Sequence, residues 1–375
     1  FLSVWKGAAG AMAWGARKGA DDLVARVTEE GVESLTVFRG RKLTGEDWSR
    51  LCAAVGGCGT LKELYASGQR LGAEEAAALA EALATEGTGL RSVCVGDESF
   101  GCAGVAALCP GLVASVSLTR LDLEGKGIAE DGARALAGSL PKARALRELS
   151  VSRNALGAAG AAALFAAASS LEVLEAVDVA LPPELTGDLV SALEAMLSKR
   201  DGANSIRSLI LSENPSLGPI GARALASGLS ASASSAAAAL AELTLEGCAL
   251  GPEGAAAVAD ALAAAPALAL LSLADNAVGD AGAHALAGAI GDASVAPRMV
   301  KIDLRMNGIG DEGAAALAGS LSGAGKLELD LGQNALGTEG ARSLAHGSPP
   351  LRRLSVFGNA GVGDAGAAAL VAGLP

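Results

Sequence analysis

Two stretches of this chain place glycines where a dinucleotide site would need them. Gly308-Ile-Gly310-Asp-Glu-Gly313 and Gly361-Val-Gly363-Asp-Ala-Gly366 both read GxGxxG, each after a strand-like run and ahead of a helix-like one. Such glycines let backbone N–H groups and a helix N-terminus approach a pyrophosphate. Other residues able to do chemistry are few: His284, His346 and the six cysteines Cys52, Cys58, Cys94, Cys102, Cys109 and Cys248. No GKS or GKT phosphate loop occurs. The cysteines show neither a CxxC pair nor a zinc spacing, and two histidines complete no ligand cluster. They read as reduced, partly buried small side chains, which favours a reducing compartment.

The elements that would position these groups explain the glycines differently. Leu118-Thr-Arg-Leu121-Asp-Leu123, a polar turn with Ile128, and Gly132-Ala-Arg-Ala-Leu136 recur twenty-eight residues later as Leu146-Arg-Glu-Leu149-Ser-Val151, Asn154, Leu156-Gly157 and Gly160-Ala-Ala-Ala-Leu164. A period of this size marks a repeat array. The first apolar residue of each copy falls at Val32, Leu61, Leu90, Leu118, Leu146, Leu171, Ile206, Leu240, Leu268, Met299, Lys326 (with Leu327 substituting) and Leu351, giving about twelve coils. Within a coil the period changes from two, at Leu149 and Val151, to three or four, at Leu156, Ala161, Leu164 and Ala168. Each unit is therefore a strand, a turn and a helix.

After the strand stands an asparagine, at Asn154, Asn214, Asn276, Asn307, Asn334 and Asn359, whose amide can bond turn backbone in its own and the adjacent coil. Gln69, Glu98, Lys126 and Cys248 interrupt that ladder. Gly132, Gly160, Gly221, Gly254, Gly282, Gly313, Gly340 and Gly366 are expected to open the helices, with alanines behind them allowing close approach to the strand. Both GxGxxG matches are phases of this repeat, since their second and third glycines recur at Gly157 and Gly160, where the first is absent. Asp311 and Glu312 would also repel a pyrophosphate. His284 occupies a position held elsewhere by Arg134, Arg223 and Arg342, that of an exposed helix residue, and His346 falls in a coil connection. The sequence therefore points to no catalytic, cofactor or metal site, and to no enzyme.

The pattern Leu-x-x-Leu-x-Leu-x-x-Asn-x-Leu-Gly-x-x-Gly-Ala-x-Ala-Leu closely resembles the ribonuclease-inhibitor-like class of leucine-rich repeats, also found in Ran GTPase-activating proteins, tropomodulins and NOD-like receptors. The resemblance covers roughly residues 21 to 375. It implies an α/β solenoid, a horseshoe of about twelve strand-turn-helix coils with a parallel sheet on the concave face and helices on the convex face. It implies little about function, because such a scaffold hosts unrelated partners.

The 51% hydrophobic content is largely alanine and aromatics make up 2%, so the positive mean hydropathy is not membrane character. No uninterrupted apolar run approaches the roughly 20 residues that span a bilayer. A net charge of −12 disfavours nucleic acid, which needs a basic surface. The expected localisation is intracellular, cytoplasmic or organellar; the chain start without Met permits a cleaved targeting peptide.

Residues 1–20 lie outside the repeat and carry Lys6, Arg17, Lys18, Trp5 and Trp14 with no acid. They read as a loosely packed lead-in, as an arm docking Trp5 and Trp14 into a partner or lipid interface, or as a targeting remnant. Residues 21–31 are expected to form a cap helix with Leu23, Val24 and Val27 inward, and residues 32–375 the solenoid. Its last coil ends at Pro375 without a polar cap, an end left for further sequence or for a partner. Two places break the period: Leu181-Pro-Pro-Glu-Leu-Thr-Gly187, ahead of a helix expected over 188–199, and the low-complexity run Ser230–Ala239. Each reads as a contact point, a longer helix end or a loop.

Residues between the buried leucines point to the concave side: Tyr65, Cys94, Asp122, Ser150, Glu175, Ile210, Thr244, Ser272, Asp303, Asp330 and Ser355. Flanking them are Phe38, Glu63, Arg120, Glu124, Glu148, Glu242, Glu246, Lys301, Arg305, Glu328, Arg353 and Phe357. The acids can steer a protein partner with a basic patch, or form an ordinary solvated face. The candidate partner-binding residues are Phe38, Tyr65, Asp122, Glu124, Glu148, Glu175, Glu242, Glu246, Asp303, Arg305, Asp330, Arg353 and Phe357, with Trp5 and Trp14 on the arm. The aromatics Phe38, Tyr65 and Phe357 are the expected anchors. Two functions fit: a non-enzymatic interaction scaffold, as subunit or adaptor of a larger assembly, or a GTPase-activating regulator of the kind the resemblance includes.

Overall fold

Short apolar strands of period two cannot bury their leucines alone, and each coil here does so against its neighbours. The structure is a computed structural model that describes residues 19–29, 31–198, 205–232, 239–292, 294–295, 298–321, 327–347 and 351–373. Trp5, Trp14 and Lys326 lie outside the described residues. Twelve strands form one parallel sheet in chain order: β1 Ser34–Thr36, β2 Glu63–Ser67, β3 Ser92–Gly96, β4 Arg120–Asp122, β5 Glu148–Ser150, β6 Val173–Glu175, β7 Ser208–Ile210, β8 Glu242–Thr244, β9 Leu270–Ser272, β10 Lys301–Asp303, β11 Glu328–Asp330 and β12 Arg353–Ser355. The helices alternate with them: α1 Asp21–Thr28, α2 Gly45–Gly56, α3 Ala73–Ala84, α4 Gly101–Ala114, α5 Glu130–Ser139, α6 Gly157–Ala167, α7 Gly187–Ser198, α8 Gly218–Ser232, α9 Gly251–Leu262, α10 Gly279–Ile290, α11 Asp311–Ser320, α12 Thr338–Gly347 and α13 Gly363–Gly373. The result is an α/β horseshoe with the sheet on its concave face and the helices on its convex face.

One leucine ladder runs through the sheet. Leu64, Val93, Leu121, Leu149, Leu174, Leu209, Leu243 and Leu271 stand in register and are buried. Behind them the amide ladder joins coil to coil. Asn154 Oδ1 accepts from the backbone N–H groups of Lys126 (3.0 Å) and Ile128 (2.9 Å), while its Nδ2 donates to Leu123 O (2.8 Å). Asn214, Asn276, Asn307, Asn334 and Asn359 repeat the arrangement one coil onward each. These groups would otherwise be buried and unpaired.

The helix glycines depart from expectation in place and in role. Gly160 lies inside the first turn of α6, which opens at Gly157. A Cβ on Gly160 would meet Ala133 Cβ and Glu130 Cα at 2.9 Å, so glycine is needed because adjacent helices touch, and not to start the helix.

Ahead of the first coil, α1 turns Leu23 and Val27 inward while Val24 is only partly covered. Trp48 and Leu51 are fully buried behind β1, and the Trp48 indole donates to Glu75 O (2.9 Å). Helix α7 runs within one residue of its expected start. Helix α8 takes in Ser230–Ser232, so the first part of the low-complexity run extends a helix.

Candidate functional site

The concave residues fall into aligned rows. From Thr36 through Tyr65, Cys94, Asp122, Ser150, Glu175, Ile210, Thr244, Ser272, Asp303 and Asp330 to Ser355, each faces its counterpart on the next strand. Ser34, Glu63, Ser92, Arg120, Glu148, Val173, Ser208, Glu242, Leu270, Lys301, Glu328 and Arg353 form the row before it. Phe38, Glu124, Glu246, Arg305 and Phe357 follow the strands on the same side by alternation. Phe38 is 57% exposed, Tyr65 38% and Phe357 80%, so all three aromatics are open to a partner. Met306, 48% exposed, adds an apolar surface that the repeat pattern does not single out.

Many of the acids are already tied across coils. Arg120 reaches Glu148 at 3.6 Å and Arg153 reaches Glu124 at 3.1 Å. Ser208 Oγ donates to Glu242 (2.9 Å) and Ser272 Oγ to Glu246 (2.7 Å). Exposed pairs of this sort add little stability each, but they hold the acidic face in one arrangement. Arg353 is exposed at the far end of the row.

Asp303 and Glu175 sit deeper than alternation alone implies. Asp303 is 2% exposed, because the Arg305 Nε folds back onto both its oxygens at 2.8 and 3.0 Å, with Lys301 Nζ 3.9 Å away. Its charge is spent inside the protein. The Arg305 guanidinium is held in turn, 4.0 Å from Asp330. Burial raises the pKa of the Glu175 carboxyl; Arg120 and a Ser150 hydrogen bond oppose the shift, and the charges of Asp122 and Glu124 add to it.

At the N-terminal side of this face is a cleft of about 460 Å³ lined by Arg39, Tyr65, Ser67, Cys94, Asp97, Glu98, Asp122, Glu124, Lys126 and Arg153. Burial pushes the Cys94 thiol up to about 12, so it stays protonated at neutral pH. Lys126 lies on the cleft floor, 3% exposed, with its Nζ 3.0 Å from Ser67 Oγ. In sequence it appears only as a gap in the asparagine ladder.

The first glycine motif is no phosphate cradle. Asp280 Oδ1 already accepts the N–H groups of Gly310 (2.7 Å) and Gly313 (3.0 Å), and Asp311 does the same for Gly337 (2.6 Å) and Gly340 (2.8 Å) in the next coil. His284 is exposed, and His346 Nδ1 lies 2.7 Å from Arg342 O. All six cysteines are free thiols.

A family profile described as leucine-rich repeat matches residues 143–165, 202–226, 268–287, 298–318, 327–345 and 347–371, six stretches that each fall on one of the twelve coils. The chain is a leucine-rich repeat protein. No curated protein matches its sequence. Among solved structures it is similar to a chain of the Rad7 and Elc1 complex of yeast, with 15% identity, 89% of this chain and 75% of that one covered, and a TM-score of 0.51. That likeness shows the fold alone. An internalin of Listeria monocytogenes (16% identity, 84% and 78% covered, TM-score 0.47) and LegL7 of Legionella pneumophila (19%, 73% and 85%, 0.43) also align. Among the described residues of this leucine-rich repeat protein, no helix is long and apolar enough to cross a membrane.

Proposed function

We propose that this leucine-rich repeat protein is a non-enzymatic protein–protein interaction scaffold, a subunit or adaptor of a larger assembly, whose concave face holds a protein partner bearing a basic patch. One observation carries the reading: twelve strands keep a single register, so Asp122, Glu124, Glu148, Glu175, Glu242 and Glu246 stand on one continuous surface. A surface with an excess of one sign steers an oppositely charged partner and favours one orientation. Phe38, Tyr65 and Phe357 supply exposed apolar anchors along the same face. Asp330 and Arg353 extend the charged rows toward the C-terminal coils. The arm bearing Trp5 and Trp14 offers a second contact, to a partner or a lipid interface.

The test is affinity purification from the native source at low and high salt with mass spectrometry, repeated with Glu242→Lys/Glu246→Lys. The expected result is a stoichiometric partner retained by the wild type and lost from the charge-reversed protein. Equal recovery by both proteins at both salts would remove the acidic face from the interaction. A copurified GTPase whose hydrolysis the protein accelerates would make it a regulator instead.

A further inference from the structure

Residues 1–18 join the described fold at Gly19, and Gly19 is fastened to the rim of the concave face. Arg41 Nε and Nη2 both donate to Gly19 O (3.0 and 2.6 Å), Arg41 Nη1 donates to Asp22 Oδ2 (2.9 Å), and the Arg41 backbone N–H donates to Phe38 O (2.9 Å). Asp47 Oδ1 takes the Ala20 N–H (3.1 Å). With its side chain 12% exposed, Arg41 fixes this junction, and the arm is attached beside the first aromatic of the concave face.

Reach and chemistry both suit that face as the arm's own resting place. An extended chain spans about 3.3 Å per residue and neighbouring strands lie about 4.8 Å apart, so Trp14 reaches roughly three coils from Gly19 and Trp5 with Lys6 about 45 Å. Phe38 and Tyr65, 57% and 38% exposed, stand on the first two coils, within the range of Trp14. From β2 to β6 the same face carries Glu63, Asp122, Glu124, Glu148 and Glu175 against Arg120. The cleft at this end keeps the excess, its four carboxylates outnumbering three cations. Residues 1–18 are the complement, with Lys6, Arg17 and Lys18, no acid, and two indoles. Exposed aromatics and tryptophans are the side chains that anchor interfaces, and an excess of opposite charge orients what they hold.

We propose that residues 1–18 dock on the chain's own concave face, Trp14 against Phe38 and Tyr65 and the Lys6 end along the acids of β4 to β6. The arm then occupies the surface that a basic partner would use, and a partner displaces it. Tethering holds the arm at an effective concentration on the order of millimolar, so a contact too weak to form between separate molecules is populated within one. A partner that engages more of the face outcompetes it, and release presents Trp5 and Trp14 for the second contact. Only this competition rests on the function proposed above; the docked arm is read from the arm and the face alone.

The experiment uses the full chain with photoreactive p-benzoylphenylalanine in place of Trp14, irradiated in dilute solution with no partner present and mapped by mass spectrometry of the monomeric product. The expected crosslinks fall on the peptides holding Phe38 or Tyr65. Their yield should drop about fivefold in Glu63→Lys/Glu148→Lys and in high salt. Crosslinks on the convex helices, crosslinks spread without preference, crosslinks only between molecules, or a yield unchanged by both charge reversal and salt would overturn the proposal. If the charge-reversed protein does not fold, the salt series on the unreversed face decides by itself. Because no partner is present, loss of the partner reading in affinity purification and loss of the docked arm are separate results.

Discussion

Asn307 stands one coil onward from Asn276, and its Oδ1 accepts the Asn276 backbone N–H at 3.0 Å. The same oxygen takes the Val278 N–H (3.2 Å), while Nδ2 donates to Leu273 O (2.9 Å) and Arg305 O (3.0 Å). With Asn307 1% exposed, water cannot replace these bonds. Asn307→Ala orphans several buried backbone groups at once, and the expected cost is about 2–4 kcal/mol. Urea unfolding measures it, and a loss below about 1 kcal/mol would mean that the turn repairs itself.

The leucine ladder should be equally sensitive for a different reason. Leu243 and Leu271 are each 1% exposed and in register on β8 and β9. Replacing either by Ala opens a cavity that stacked coils cannot close, at a cost of roughly 2–5 kcal/mol. Because each coil is supported by its neighbours, hydrogen exchange should rise in the flanking strands as well as at the mutated one. Exchange confined to the mutated coil would contradict cooperative stacking.

How much of this was legible in the sequence depends on the range of the interaction. The strand faces and the amide ladder follow from spacing, since both repeat once per coil and Asn154 reaches only the preceding turn. The role of Gly160 did not follow, because its constraint comes from Ala133 on the neighbouring helix. Asp303 was placed on the correct face, but alternation says nothing of depth, and Arg305 folding back onto it decides its burial. The helix-capping carboxylates Asp280 and Asp311 share their repeat position with Cys102, whose Sγ accepts the Ala129 N–H at 3.3 Å, so no residue type marks them. Lys126 and Ser67, 59 residues apart, leave no periodic signal at all.

The turns hold non-glycine residues in the left-handed region, where relief is available. Ala249 (φ 50°) and Ala277 (φ 52°) occupy the place that Gly127 (φ 67°) and Gly308 (φ 66°) hold in other coils. A left-handed conformation costs an L-residue roughly 1–2 kcal/mol, partly offset by the greater chain entropy that glycine loses on folding. Ala277→Gly is therefore expected to be neutral or to stabilise by up to about 1 kcal/mol. A drop in the urea midpoint would show that the methyl group contributes packing there.

The raised pKa of Glu175 gives stability a pH dependence of known sign. Burial is the largest cause, and the neighbouring charges of Asp122 and Glu124 reinforce it against Arg120. A carboxyl with a higher pKa in the folded state binds more protons there than in the unfolded chain. Its contribution therefore favours folding at low pH and is lost as pH rises through the folded pKa, above the ordinary value of 4.5. Other carboxylates titrate in the same range, so the informative quantity is the difference between wild type and Glu175→Gln. At neutral pH the glutamine protein should be the more stable of the two, since it buries no charge. On acidification that advantage should shrink and vanish once Glu175 is protonated in both states. A constant difference from neutral to acidic pH would place the carboxylate of Glu175 in water, and an advantage that grows on acidification would reverse the sign of its shift.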